Sequence, residues 1–231
     1  MYNKKVYYKR KKESKVEDNK MKISPKVKNI IEWGYCIIIA VALALLIRFY
    51  IGTPTMVKQV SMYDTLEEGE RLILYRWTRT VNGEYKRGEI ITFEAPSKTN
   101  IPAYDINMDS PVAPYENEPK GMLAKFSYYV LEFNKYSYIK RIIAVEGDHI
   151  KIEEGKVYLN GEELYESYLK EGLETDGKTF RDITVPEGHV FVMGDNRNQS
   201  TDSRNFGCIP VRKIESKVWI RFWPLSKFGT V

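Results

Sequence analysis

From Trp33 to Ile51 the chain reads WGYCIIIAVALALLIRFYI, nineteen residues with one charge, Arg48. As an α-helix this run spans roughly 28 Å, close to the hydrocarbon thickness of a bilayer. Arg48 sits near the far end, where its stem can carry the guanidinium to the interface. Trp33, Tyr35, Phe49 and Tyr50 stand at the two ends, as an aromatic belt does. A cleaved signal peptide is the competing reading. Such peptides have apolar cores of about 7–15 residues followed by a small-x-small site. No such site follows Ile51, and Ala42–Leu43–Ala44 lies inside the run. A buried helix of a soluble protein would keep a polar face. One uncleaved membrane-spanning helix is therefore expected.

Charge sets the expected orientation. Residues Met1 to Lys28 hold eleven Lys or Arg and three acids, a net +8. The whole chain carries +5, so the remainder is slightly acidic. Basicity confined to a tail before an apolar span points to topology rather than nucleic acid. The positive-inside rule puts this tail in the cytoplasm and everything after about Gly52 outside. The expected division is a basic cytoplasmic tail over 1–29, a transmembrane helix over 30–51 and an extracytoplasmic domain over 52–231. Membrane lipid is then one partner, and no nucleic-acid partner is expected. Two cysteines, Cys36 and Cys208, and two distant histidines, His149 and His189, offer no metal-ligand spacing. A Cys36–Cys208 disulfide would need one partner inside the bilayer and is not expected.

After the anchor, short Val-, Ile-, Tyr- and Phe-rich segments alternate with turn signals. Expected strands are 71–76, 89–93, 139–145, 149–153, 156–159, 189–193 and 217–222. Asn160–Gly161 is a two-residue hairpin signal. Pro186–Glu187–Gly188 and Gly194–Asp195–Asn196 are turn clusters. The fold class expected is mostly β, an antiparallel domain behind one transmembrane helix. Ala95 to Pro119 contains five prolines and reads as a loop, part of an insertion at about 95–137. Met122 to Phe133 reads as a short helix or an aromatic ribbon. Packing on the sheet is the reading preferred over docking on a membrane surface.

The commoner catalytic signatures are absent: no G-x-S-x-G, no H-E-x-x-H, no phosphate-binding glycine loop. Neither histidine adjoins a serine or cysteine motif. Three other segments stand out. Gln59 to Gly69 follows the anchor and holds Ser61–Met62. Tyr138 to Asp148 places Lys140 at the start of an apolar strand. Gly194 to Gly207 is dense in amides, hydroxyls and opposed charges. Taken singly, the lysine reads as an edge-strand charge that discourages aggregation, and the last segment as a solvated turn.

Taken together and in this order, S-M-x-x-T-L, K-R-I-I-x-V-x-G-D and G-D-N-R-N-Q-S-x-D-S-R-x-F-G-x-I-P resemble the boxes of the type I signal peptidases. The resemblance runs from about Trp33 to Pro210, outside the insertion. It implies a β-rich, membrane-anchored serine protease with a Ser/Lys dyad and no metal or organic cofactor. Ser61 matches the nucleophile, Lys140 its general base and Ser200 the hydroxyl that orients the lysine. Asp195, Asp202 and Arg204 match residues that hold the site together, joined by Arg141. Met62 lies beside the nucleophile as a pocket residue. The implied partners are secreted preproteins, cut after small residues at the −1 and −3 positions of an extended signal peptide. The chemistry fits: serine is a poor nucleophile until a base takes its proton. A lysine does this only when burial disfavours its ammonium form.

The sequence departs from the family at three places. Gln59–Val60 replaces the Ser-Gly that commonly precedes the nucleophile, which leaves the Gln59 amide as candidate second donor to the oxyanion. Asp64 and Glu146 stand where members commonly carry proline, and a looser turn is expected at Glu146. Two other readings stand beside the signal peptidase. One is a membrane protease dedicated to pilin or surface-protein precursors. The other is a non-catalytic, membrane-tethered binding domain.

Overall fold

The computed structural model describes residues 24–81, 83–101, 107–108, 110–116 and 118–231. Most of the basic tail lies outside these residues. The chain divides into two compact units, Met1–Ala44 and Leu45–Val231. The first is dominated by helix α1, Pro25–Leu46, none of whose side chains is buried. With the π-helical turn Ile47–Ile51 it makes one helix long and apolar enough to cross a membrane. Full exposure of an apolar surface is unstable in water and natural in lipid.

The second unit is an antiparallel β-domain with short helices, the first of them α2 (Trp77–Thr80). Its larger sheet contains β1 (Gly52–Met56), β2 (Arg71–Tyr75), β3 (Ile90–Glu94), β4 (Ser137–Val145), β9 (His189–Met193), β10 (Ile209–Pro210), β11 (Ile214–Trp223) and β12 (Gly229–Thr230). Their order is β1-β2-β11-β3-β4-β9-β10, with β12 on β11. The smaller sheet, in order β7-β6-β5-β8, comprises β5 (His149–Glu153), β6 (Lys156–Leu159), β7 (Glu162–Glu163) and β8 (Asp182–Thr184). Asn160 and Gly161 both take positive φ between β6 and β7, the twist a two-residue hairpin needs. β1 is an edge strand. This is how it tolerates Pro54, which has no N–H for a second neighbour.

Three apolar clusters fill the unit. One lies under the smaller sheet around Ile150, Phe180 and Phe191. A second holds Phe93, Ile142, Val192 and Phe206. The third, Val57, Met62, Leu66, Leu72, Leu74, Ile90 and Val218, sits beneath the segment that carries Ser61. Cys36 and Cys208 are both free, and burial pushes the Cys208 thiol up to about 12.

Three local expectations change. Lys140 is on β4, an interior strand between β3 and β9, so it is not an edge-strand charge. The helix expected at Met122–Phe133 is α3, Met122–Tyr129, but it buries no residue. Its first turn stands free, with Met122 87% exposed, rather than packing on the sheet. The Glu146 turn is tied, not loose: its carboxylate accepts the Gly188 N–H at 2.8 Å. Two residues on, Asp148 accepts from Val145 N, Asn160 Nδ2 and Arg87.

Candidate active site

Ser61 lies in a 3₁₀ turn, Val60–Met62, just beyond edge strand β1. The turn is pinned from below by Met62 and Leu66, both essentially unexposed in the third cluster. It is pinned from the side by the loop after β9. Asn196 donates its backbone N–H to the Ser61 carbonyl at 3.1 Å and its side-chain amide to the Val60 carbonyl at 3.1 Å. The nucleophile candidate is thus held by its backbone, which leaves Oγ free to turn.

Lys140 reaches it from β4, paired with Ile91 of β3. Its Nζ lies 2.6 Å from Ser61 Oγ and 3.1 Å from the Ile139 carbonyl. Lys140 is 1% exposed. Burial lowers its pKa to about 8, against the opposing pull of the Asp202 and Asp195 carboxylates, with Arg204 adding to the fall. An ammonium pays for desolvation unless a counter-charge touches it. Among the described residues no carboxylate does, so about a tenth of it is free amine at pH 7 and about half at pH 8.

The two carboxylates are occupied elsewhere. Asp195 accepts two bonds from Arg141, Nε at 3.0 Å and Nη2 at 2.7 Å, and one from Thr65 Oγ1 at 2.6 Å. Arg141 also donates to the Gly88 carbonyl and stacks on Tyr168. Asp202 is fully buried. Burial alone would raise its carboxyl; the Arg204 guanidinium at 2.9 Å outweighs this and holds it below the usual carboxylate range. It also accepts the Gly194 N–H at 3.1 Å and caps α4, Ser203–Phe206. Bidentate arginine–carboxylate pairs fix geometry as well as charge. The loop carrying Ser200 is therefore stitched to β4 at one end and to itself at the other.

Ser200 is buried; its Oγ faces the Asp202 carboxylate, whose pKa it helps to lower, and bonds no other group among the described residues. It stands against Gly194, whose other neighbour is the Ser61 carbonyl. Each candidate residue from the sequence is thus in one neighbourhood, except that Lys140 bonds Ser61 and Ile139 rather than Ser200. Gln59 is exposed on the rim of the cleft, and its amide has no partner among the described residues.

Sequence reasoning missed four contributors. Gly194 is one. Thr65, the T of the S-M-x-x-T-L segment, is the second, its bond to Asp195 unforeseen. Arg197 is the third: fully buried, it donates to the Gly194 carbonyl at 3.2 Å and to Thr175 at 2.6 Å, and pairs with Glu166. Glu166, the fourth, comes from the loop after β7, about 30 residues away. No local pattern announces such a partner.

A cleft of about 490 Å³ runs beside Ser61. Its lining follows β1 from Thr53 through Val57 to Gln59, with Met62, Leu66, Thr92 and Ile139 near the serine. Neither histidine lines it. His149 pairs with Asp182 and His189 lies against the Glu187 carbonyl. Among the described residues no group of three His, Cys, Asp or Glu is placed to hold a metal.

Comparison with known proteins shows the family. The family described as "Signal peptidase, peptidase S26" matches residues 30–223. A signal peptidase I of Bacillus licheniformis is 34% identical, over 89% of this chain and 95% of its own. Signal peptidase I T of Bacillus subtilis (strain 168) is 33% identical, over 87% and 90%. "Probable signal peptidase I-1" of Synechocystis is 32% identical, over 84% and 82%. With a family match across most of its length and relatives above 30% identity along nearly all of theirs, this chain belongs to the signal peptidase family, peptidase S26.

Proposed function

We propose that Ser61 and Lys140 form the dyad with which this membrane serine endopeptidase removes signal peptides from preproteins. The observation that carries the assignment is a lysine amine 2.6 Å from a serine hydroxyl, 1% exposed and touched by no carboxylate among the described residues. As free amine, Lys140 accepts the Ser61 proton while Oγ attacks the scissile carbonyl. The resulting ammonium returns that proton to the departing amine, and a water repeats the cycle on the acyl-enzyme. The oxyanion is met by the Ser61 backbone N–H and the Gln59 side-chain amide, which replaces the hydroxyl common in the family.

An extended preprotein segment lies along the free edge of β1, and Met62 helps shape the pocket for the small residue before the cut. The basic tail lies in the cytoplasm, residues 30–51 cross the membrane once, and residues 52–231 work outside. Membrane lipid is the partner of the helix.

The test is cleavage of a labelled preprotein with a small-x-small site by the purified full-length protein in detergent. Parent, Ser61→Ala, Lys140→Ala and Gln59→Ala are run together, and the cut is mapped by mass spectrometry. The parent cuts at that site and the first two variants do not. Gln59→Ala cuts about 100-fold more slowly at unchanged KM, the usual loss for an oxyanion donor. Cutting by Ser61→Ala would contradict the mechanism. A folded, inactive parent would favour a dedicated-substrate protease or a tethered binding domain.

A further inference from the structure

Where the apolar run ends, a second cavity opens. It holds about 270 Å³, and Phe49, Tyr129 and Ile214 make its apolar side. Phe49 lies within the run assigned to the membrane, close to its end at Ile51. Tyr129 is the last residue of α3. Just beyond α3, Glu132 clamps Arg48 and Arg76, which ties this segment to the end of the same run.

The rest of the lining is charged, and much of that charge is neutralised within it. Lys135 pairs with Glu215 at 2.6 Å and Lys213 with Glu94 at 3.2 Å, all four side chains under a tenth exposed. At the rim the exposed Glu118 reaches Lys213 at 3.4 Å. Two arginines complete the lining, and neither forms an ion pair among the described residues. Arg79, on α2, donates from Nη2 to the Phe49 carbonyl at 3.0 Å and lies over the Phe49 ring. Burial, then the Arg76 charge, pull its pKa below the ordinary value, against Glu215, Glu132 and Tyr85. Arg212 is exposed in the turn Val211–Lys213 that leads into β11, and its guanidinium bonds nothing among the described residues.

Four cations against three carboxylates leave the cavity one net positive charge, with two guanidiniums that no carboxylate occupies. Such a site takes an anion. The planar guanidinium fork fits phosphate oxygens two at a time, and a phosphodiester carries the single negative charge that balances the lining. The cavity is smaller than the roughly 300–1,000 Å³ of pockets that enclose a drug-sized ligand. It therefore suits a headgroup whose chains stay outside. Its apolar side is formed in part by Phe49, an aromatic residue at the level where headgroups lie.

We propose that Arg79 and Arg212 bind the phosphodiester of an anionic phospholipid at this cavity. A zwitterionic headgroup is disfavoured, because its own cation meets a lining that is already positive. The proposal rests on the reading of residues 30–51 as a membrane span and is independent of the dyad. It gives the catalytic unit a second hold on the membrane besides the helix.

The test is native mass spectrometry of the full-length protein in detergent, titrated separately with phosphatidylglycerol, phosphatidylcholine and inorganic phosphate. Parent, Arg79→Gln, Arg212→Gln and Arg181→Gln are compared. Arg212 is exposed, so its variant guards against misfolding of Arg79→Gln. Arg181 is exposed and lines a different cavity, so its variant controls for loss of charge alone. The parent should hold phosphatidylglycerol about tenfold more tightly than phosphatidylcholine, as expected for charge-assisted hydrogen bonds. Arg79→Gln and Arg212→Gln should fall to within about threefold, while Arg181→Gln keeps the parental preference. Equal retention of the two lipids by the parent, or a preference that survives in Arg212→Gln, would overturn the site. Inorganic phosphate bound as tightly as phosphatidylglycerol would make this a site for free phosphate and overturn the lipid assignment. Lipid retention is read without cleavage, so none of these outcomes bears on Ser61 and Lys140.

Discussion

Gly194 separates the two serines of the site: a β-carbon on it would stand 2.4 Å from Ser200 Oγ and 2.3 Å from the Ser61 carbonyl oxygen. Both are well inside contact distance, and the second obstacle is backbone. Gly194→Ala must therefore push the nucleophile's turn and the Ser200 loop apart. Misplacing reacting atoms by a fraction of an ångström has large kinetic effects. The expected result is a loss of at least about 100-fold in kcat/KM, with about 1–3 kcal/mol of lost stability from overpacking. Preprotein cleavage together with thermal unfolding checks it, and unchanged values of both would remove Gly194 from the site.

Ser200 gives the opposite pattern. Its buried hydroxyl faces only the Asp202 carboxylate, which keeps its bonds from Arg204 and Gly194 without it, so removing it has little structural cost. Ser200→Ala should change stability by less than about 1 kcal/mol in either direction. If the hydroxyl orients the Lys140 amine during the reaction, kcat should nonetheless fall at least about tenfold. A loss of stability with unchanged kcat would make Ser200 a structural residue.

A buried lysine with a depressed pKa weakens the fold that holds it. The folded pKa is about 8, against an ordinary value of 10.5. Between these two values the unfolded chain binds the proton that the folded chain has lost, so stability rises with pH across that window. Below about pH 8 the full penalty applies. Lys140→Met, similar in length and uncharged, should be inactive yet more stable at pH 7, by about 1–3 kcal/mol. Its advantage should shrink as pH approaches 10.5. Chemical denaturation of parent and variant at pH 7 and pH 10 measures this. A variant less stable at both would contradict the assigned burial penalty.

What the sequence shows of this protein follows the range of its interactions. The strands at His149–Glu153, Lys156–Leu159 and His189–Met193 match the structure residue for residue, because alternation and turn residues are local signals. Strand β1 escaped notice because Pro54 argues against a strand unless its edge position is known. Ser61, Lys140, Asp195 and Asp202 were legible through ordered motifs, and Arg141 and Arg204 through their neighbours. Arg197, Glu166 and the Arg48–Glu132–Arg76 clamp were not, since each pairs across 28 or more residues of chain. Arg48 read as a snorkelling end of the apolar run, and only the fold reveals its partner. The exposed first turn of α3 was misjudged because its apolar residues look the same whether packed or free.

The most direct test of the account is the pH dependence of kcat/KM for preprotein cleavage. Burial places Lys140 at about 8, so activity should rise through a single ionisation near that value and flatten above it. The limb belongs to the free enzyme and marks loss of the proton from the amine that faces Ser61. A limb near 6.5, the range of histidine, or activity independent of pH between 6 and 10, would contradict a lysine general base.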